Sequence, residues 1–170
     1  MIFADICYSS TYNLFMSFKI DGLDRKILSF LTKDARIPFL EIARKCNVSG
    51  AAIHQRVNQM VAGRVVSGSQ FNVDPKGLGY GTCAFIGLVI NLVSISTHDV
   101  VFKKITLIPE IVECHHVSGK YSLLVKIYAR DNEHLRKLIT DCIQAIPEVT
   151  TTETFISLEV GFMRQLEVGD

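Results

Sequence analysis

The stretch Asp74-Pro75-Lys76-Gly77-Leu78-Gly79 constrains the fold most, because a proline and two glycines within six residues end any helix or strand that reaches them. Before it, apolar residues recur at helical spacing. After it, apolar runs of strand length alternate with helical ones. With 170 residues, 48% of them hydrophobic, each half can fill a core of its own. Charge divides near the same place: residues 17–69 hold nine Lys and Arg against four Asp and Glu, a net of +5, whereas residues 70–170 hold nine against twelve, a net of −3. A basic first half suits a polyanion partner, although a solvated surface has the same composition.

Three helices are predicted in the first half. Asp21 can cap the first, with Leu23, Ile27, Leu28 and Leu31 as its apolar stripe. Pro38 falls in the first turn of the second, whose buried face is Phe39, Ile42, Ala43 and Cys46. After a tight turn at Asn47-Val48, Ser49 can cap a third helix that turns Ile53, Val57, Met60 and Val61 inward and ends at Gly63. Its opposite face carries Ala51, Gln55, Asn58 and Gln59, with Ala52 beside them and His54 and Arg56 on the flanks. A short helix, a turn and a second helix bearing Gln, Asn, Arg and small residues is the pattern that major-groove reading requires. Gln and Asn pair with adenine edges, Arg with guanine or phosphate. Ser49, Ala51, Ala52, His54, Gln55, Arg56 and Asn58 are therefore the expected DNA-contacting residues. The same pattern fits a three-helix bundle whose outer face is merely solvated. Residues 64–73, around Ser67-Gly68-Ser69, read as two short strands forming a wing.

The second half predicts strands over 83–92, 111–117, 121–129 and 149–158, with helices over 97–107 and 132–145. The order βαββαβ is the ferredoxin-like split unit. The fold class expected is α+β, an N-terminal winged helix-turn-helix followed by that unit. Helices on one face of so apolar a sheet leave the other face to be covered, most simply by a second subunit. The expected domains are residues 17–69 for DNA binding, 70–82 as linker, and 83–170 for ligand sensing and oligomerisation. Residues 1–16 read as a disordered or mis-started extension with Met16 as the alternative start; Asp5 and the lack of Lys or Arg there argue against a secretory signal.

Other classes are disfavoured. The five cysteines are odd in number, dispersed and without a Cys-x-x-Cys pair, which points to a reducing cytoplasm. The longest apolar run, 83–93, contains Gly87 and Asn91 and falls short of the roughly 18 residues that cross a bilayer, so no membrane partner is expected. Cys114-His115-His116 lies on a strand, where neighbouring side chains point to opposite faces and cannot converge on one metal. No nucleophile elbow, phosphate loop or zinc-protease motif is present, and no enzymatic activity is expected.

The motifs together resemble the Lrp/AsnC family of feast-or-famine regulators. Leu23-Asp24-x-x-Ile27-Leu28, Asp34-Ala35-Arg36, Glu41-Ile42-Ala43, and Val48-Ser49 followed by Arg56-Val57 match its DNA-binding half in order and spacing. Leu78-Gly79-Tyr80, Phe85-Ile86-Gly87, Gly119-x-Tyr121-Ser122 and Thr151-Thr152-Glu153-Thr154 look like its asparagine-responsive branch, as does Ile53-His54-x-Arg56-Val57. The resemblance implies a dimer, usually assembling into an octamer, that binds double-stranded promoter DNA and responds to an amino acid held between dimers. It places Tyr121, Ser122 and Gln144 in the effector pocket, with Thr152 and Thr154 adjoining. Gly119 is either a hairpin glycine or part of that pocket. Many members carry Gly-Asp-Tyr-Asp where this chain has Gly119-Lys120-Tyr121-Ser122, so an acidic anchor for a ligand ammonium is absent at those positions. Asparagine is the favoured effector, and no other cofactor is implied. The alternative is an amino-acid-binding oligomer that regulates a metabolic enzyme without touching DNA.

Overall fold

Helix α1, Gly22–Leu31, starts where two aspartates cap one another. The Asp24 amide donates to the Asp21 carboxylate at 2.9 Å, and the Asp21 amide donates to the Asp24 carboxylate at 3.1 Å. The computed structural model describes residues 18–91 and 96–168, so the expected extension at 1–16 lies outside the described residues, as does Leu92. Two compact units result, one running to Phe71 and taking in the chain from Arg164, the other Asn72–Met163.

In the first unit α2, Phe39–Cys46, follows Pro38, which stands just outside the helix rather than in its first turn. Asn47 closes α2 in the left-handed conformation at φ 55°, which Asn tolerates better than most side chains. Helix α3, Gly50–Ala62, is capped by Ser49, whose hydroxyl accepts from the Ala52 amide at 3.2 Å. Ile27, Leu28, Ile42, Ala43, Ile53 and Met60 form the core, with Val57 packed beside them. Val61, expected inward, is 48% exposed; eight residues beyond Ile53, it is turned about 80° from the Ile53–Met60 line.

The expected wing is not formed by residues 64–73, which contain no strand. After Gly63, Arg64 takes φ 56°, and the Val65 and Val66 amides both donate to the Met60 carbonyl at 2.8 and 3.2 Å. Donors that a strand ladder would need instead close the end of α3, and both valines pack on the helical core.

The second unit opens with a 3₁₀ turn, Pro75–Leu78, ended by Gly79 at φ 84°. Then follow β1 (Thr82–Ile90), α4 (Ser96–Thr106), β2 (Ile111–His116), β3 (Leu123–Ala129), α5 (Asn132–Lys137) and β4 (Val149–Ser157). The sheet order is β2-β3-β1-β4 with every neighbouring pair antiparallel, as the split unit requires. The helix expected over 132–145 changes character partway. Beyond α5 the chain widens into a π-helical stretch, Leu138–Ile143, with the Gln144 amide reaching the Ile139 carbonyl at 2.8 Å.

Alternation along β1 and β3 sorts the sheet's faces. Ala84, Ile86, Leu88 and Ile90, with Leu123, Val125, Ile127 and Ala129, are buried in one core with Val101, Ile105, Leu135, Leu138 and Ile143 from the helical segments. The other face carries Phe85 and Phe155, 36% and 46% exposed, beside Leu124 and Tyr128. Ile86→Ala should destabilise the second unit by about 2–5 kcal/mol, because Ile86 has no exposed surface and little room to relax. Urea denaturation followed by circular dichroism measures the loss.

Candidate nucleic-acid interface and effector site

Helix α3 presents two sharply different sides. Ile53 and Met60 are fully buried, whereas Ala51, His54, Gln55, Asn58 and Gln59 are exposed and Ala52 is half-buried. Ser49 sits at the tip of this face as its cap. The His54 ring meets the Phe39 ring edge-on at 4.6 Å between centroids, bracing the junction of α2 and α3. The outer face thus offers three amides and small residues, with no acidic side chain on the helix.

Arg56 behaves differently from its neighbours. Its Nη1 donates to Asp21 Oδ2 at 2.5 Å and to both oxygens of Asp24 at 3.3 Å. Asp24 has no exposed surface. The Asp24 amide, and after it the Arg56 guanidinium, hold the Asp21 carboxyl below its ordinary range, and the same ion pair raises Arg56. Arg56, expected on a flank of the outward face, therefore points toward the first turn of α1. Its position was readable: Ile53, Arg56, Val57 and Met60 are spaced i, i+3, i+4 and i+7, the inward seam of a helix.

The residues expected to bind an effector gather around the C-terminal half of β1, but on two sides of the sheet. Gly119 adopts φ 124°, with open space where a Cβ would stand, so its conformation alone accounts for a glycine. The Tyr121 ring lies over Gly87, and its hydroxyl donates to Glu153, which Lys120 also contacts. Glu153 pairs across the ladder with Gly87, placing this cluster on the face away from the helices. Ser122 extends the β3 ladder: its amide donates to the Leu88 carbonyl at 2.8 Å, and its hydroxyl accepts from the Ile90 amide at 3.3 Å. Thr152 and Thr154 pair with Leu88 and Ile86, so they face the helical side, where Gln144 Nε2 donates to Thr152 Oγ1 at 2.8 Å. A single chain does not bring the six residues into one cavity.

Glu153 was not among the residues expected from sequence, and the fold sets its carboxylate against Lys120 and Tyr121. Its pairing with Gly87 across β4 and β1 is non-local, and no short motif encodes it. Donation from Lys120, then from Tyr121, holds the Glu153 carboxyl below its usual range, and the same contacts raise Tyr121 and Lys120. Elsewhere, burial pushes the Cys114 thiol up to about 11, so it stays a neutral, unreactive thiol at pH 7. A cavity of about 210 Å³ between α4 and β2, lined by Phe102, Ile105, Ile111 and Cys114 among others, contains none of the expected effector residues. Among the described residues no helix is long and apolar enough to cross a membrane.

A helix-turn-helix unit followed by a βαββαβ ligand-sensing unit defines a class, the DNA-binding transcriptional regulators built from a reader and a sensor. Residues 20–61 match the AsnC-type helix-turn-helix domain and residues 83–165 the Lrp/AsnC ligand binding domain, and the chain belongs to the Lrp/AsnC family. It is similar to the regulatory protein AsnC of Haemophilus influenzae, at 36% identity over 87% of this chain and 97% of that one. The solved structure of Escherichia coli AsnC superposes with a TM-score of 0.81 at 33% identity, covering 88% of this chain and 99% of that one. A transcriptional regulator from Neisseria meningitidis, solved as an L-Met complex, shares the fold at 19% identity, with a TM-score of 0.79 and coverage of 86% and 94%.

Gly87→Ala is expected to displace Tyr121, because the added methyl would stand 2.6 Å from its ring carbons. With its hydroxyl detached from Glu153, the Tyr121 phenol should titrate nearer its ordinary value of about 10. Ultraviolet titration against Tyr121→Phe reads that single phenol.

Proposed function

We propose that this protein reads promoter DNA through Ser49, Ala51, Ala52, His54, Gln55 and Asn58, and that an amino acid, asparagine in the first instance, sets its activity. The observation that carries the DNA reading is the two-sided α3, with Ile53 and Met60 buried beneath an exposed row of Ala51, Gln55 and Asn58. Gln55 and Asn58 can each pair with an adenine edge, while small residues let the helix approach the bases closely. Phosphate contacts from the basic first unit supply affinity without sequence choice.

The effector is held by groups around the end of β1: Gly119, Tyr121, Ser122, Gln144, Thr152 and Thr154, with Glu153 as the acidic partner for an ammonium. Because these lie on both sides of the sheet, a complete pocket calls for more than one chain, which supports binding between dimers. The uncovered Phe85 and Phe155 face favours a homodimer, and an octamer is the assembly proposed. The protein acts in the cytoplasm, as a regulator without catalytic chemistry or a resident cofactor.

Gln55→Ala should weaken binding to the gene's own upstream region by about 1–3 kcal/mol and leave non-specific binding unchanged. A gel-shift titration against random DNA measures both, and equal affinity of variant and parent for the upstream region would remove α3 from base reading. Asparagine at about 100 times its dissociation constant should add roughly 2.7 kcal/mol of apparent stability in a thermal-shift assay. A response to another amino acid would reassign the effector, and silence with all twenty would end the amino-acid reading.

A further inference from the structure

We propose that Arg56 is a positioning residue for DNA recognition: it locks α3 to the first turn of α1 through Asp24 and Asp21, and so sets the tilt at which Gln55 and Asn58 meet the groove, without touching DNA. The inference rests on the reading of α3 as the recognition helix and adds a role for residues on a different helix.

Asp24 carries the argument. It is a carboxylate with no exposed surface in a small apolar core, where an ion needs hydrogen bonds and opposite charge close by. The Asp21 amide supplies one bond and Arg56, 32 residues later, brings a cation to both of its oxygens. Asp21 is engaged twice over, capping α1 through the Asp24 amide and accepting from the same guanidinium. Two carboxylates fixed by the capping box thus hold the guanidinium in one place, and with it the middle of α3. Ile53, Val57 and Met60 pack against the same core, but apolar contact is non-directional and leaves a helix free to roll by small amounts. Charge-assisted hydrogen bonds to a rigid pair of acceptors are directional and remove that freedom. A buried carboxylate deprived of its cation is costly, so Asp24 holds Arg56 in place whatever net stability the pair adds.

The same arrangement predicts that Arg56 adds no phosphate affinity. With two carboxylates against one guanidinium the cluster carries a net charge of −1, so it offers no free cation to displace counterions condensed on the DNA. A direct phosphate contact and a clamp therefore differ in their salt dependence.

The test compares Arg56→Gln, Asp24→Asn and the double variant in the full-length protein. Fluorescence anisotropy with the upstream DNA, at several salt concentrations, reads affinity and salt slope, and circular dichroism melting checks that each variant folds. Asp24→Asn keeps the side chain's shape and removes a negative charge, which by itself would strengthen attraction to DNA. A clamp predicts the opposite: each single variant binds specifically roughly 10-fold more weakly, the double is no worse than either single, and the salt slope is unchanged. Loss of about 0.9 from the slope in Arg56→Gln would make Arg56 a phosphate contact and overturn the proposal. So would full affinity in Arg56→Gln, or tighter binding in Asp24→Asn. Should Asp24→Asn fail to fold, the Arg56→Gln slope decides alone: weakened specific binding at constant slope supports the clamp, and a reduced slope overturns it. A failure of Gln55→Ala to affect binding would instead remove the recognition-helix reading itself.

Discussion

Strand β1 is hydrogen-bonded along both edges, to β3 on one side and β4 on the other, and this assigns the side chains of three strands to one of two faces. Ala84, Ile86, Leu88 and Ile90 go into the core with the helical segments, and Cys83, Phe85, Gly87 and Val89 go to the face away from them. Neighbours inherit the assignment through register. Glu153 opposite Gly87 is committed to the uncovered face, and Thr152 opposite Leu88 to the covered one. The Tyr121 ring can lie against the central strand β1 because Gly87 has no side chain to exclude it. The split of the candidate effector residues is thus a consequence of strand alternation.

The first unit is organised by a different constraint. Its core has few fully buried apolar side chains, and one of the buried groups is a carboxylate. The capping box that starts α1 places Asp24 there, and Arg56 from α3 answers its charge. Arg56 of α3 is thereby tied to α1, while Gln55 and Asn58, on the far side of the helix, stay exposed. The division of labour follows from the seam: positions 53, 56, 57 and 60 share the inward side, whatever their chemistry.

Much of the fold was legible because its signals are local. Asp21 and Ser49 cap the helices they precede, Asn47 turns the chain between α2 and α3, and Pro75 and Gly79 begin and end a 3₁₀ turn within the second unit. Three features were not. The wing expected at 64–73 gave way because the Met60 carbonyl at the end of α3 captured the Val65 and Val66 amides. The π-helical stretch after α5 sets the buried Leu138 and Ile143 five residues apart and leaves Cys142 exposed, where regular α-helical spacing would have turned it inward. The Arg56 partner was hidden because Asp24 lies 32 residues away on another helix, although the spacing of Arg56 with Ile53, Val57 and Met60 already placed it beside the seam.

The amino-acid sequence alone determined most of the elements, their order and the family, because caps, breakers and hydrophobic period act over a few residues and are written in consecutive letters. Tertiary structure decided which chemistry each polar residue serves. Arg56 meets Asp24 across 32 residues, and Tyr121 meets Glu153 across another 32. Such pairings depend on helix packing and strand register, so a side chain's partner, and with it its charge state and role, emerges only when the core has closed around it.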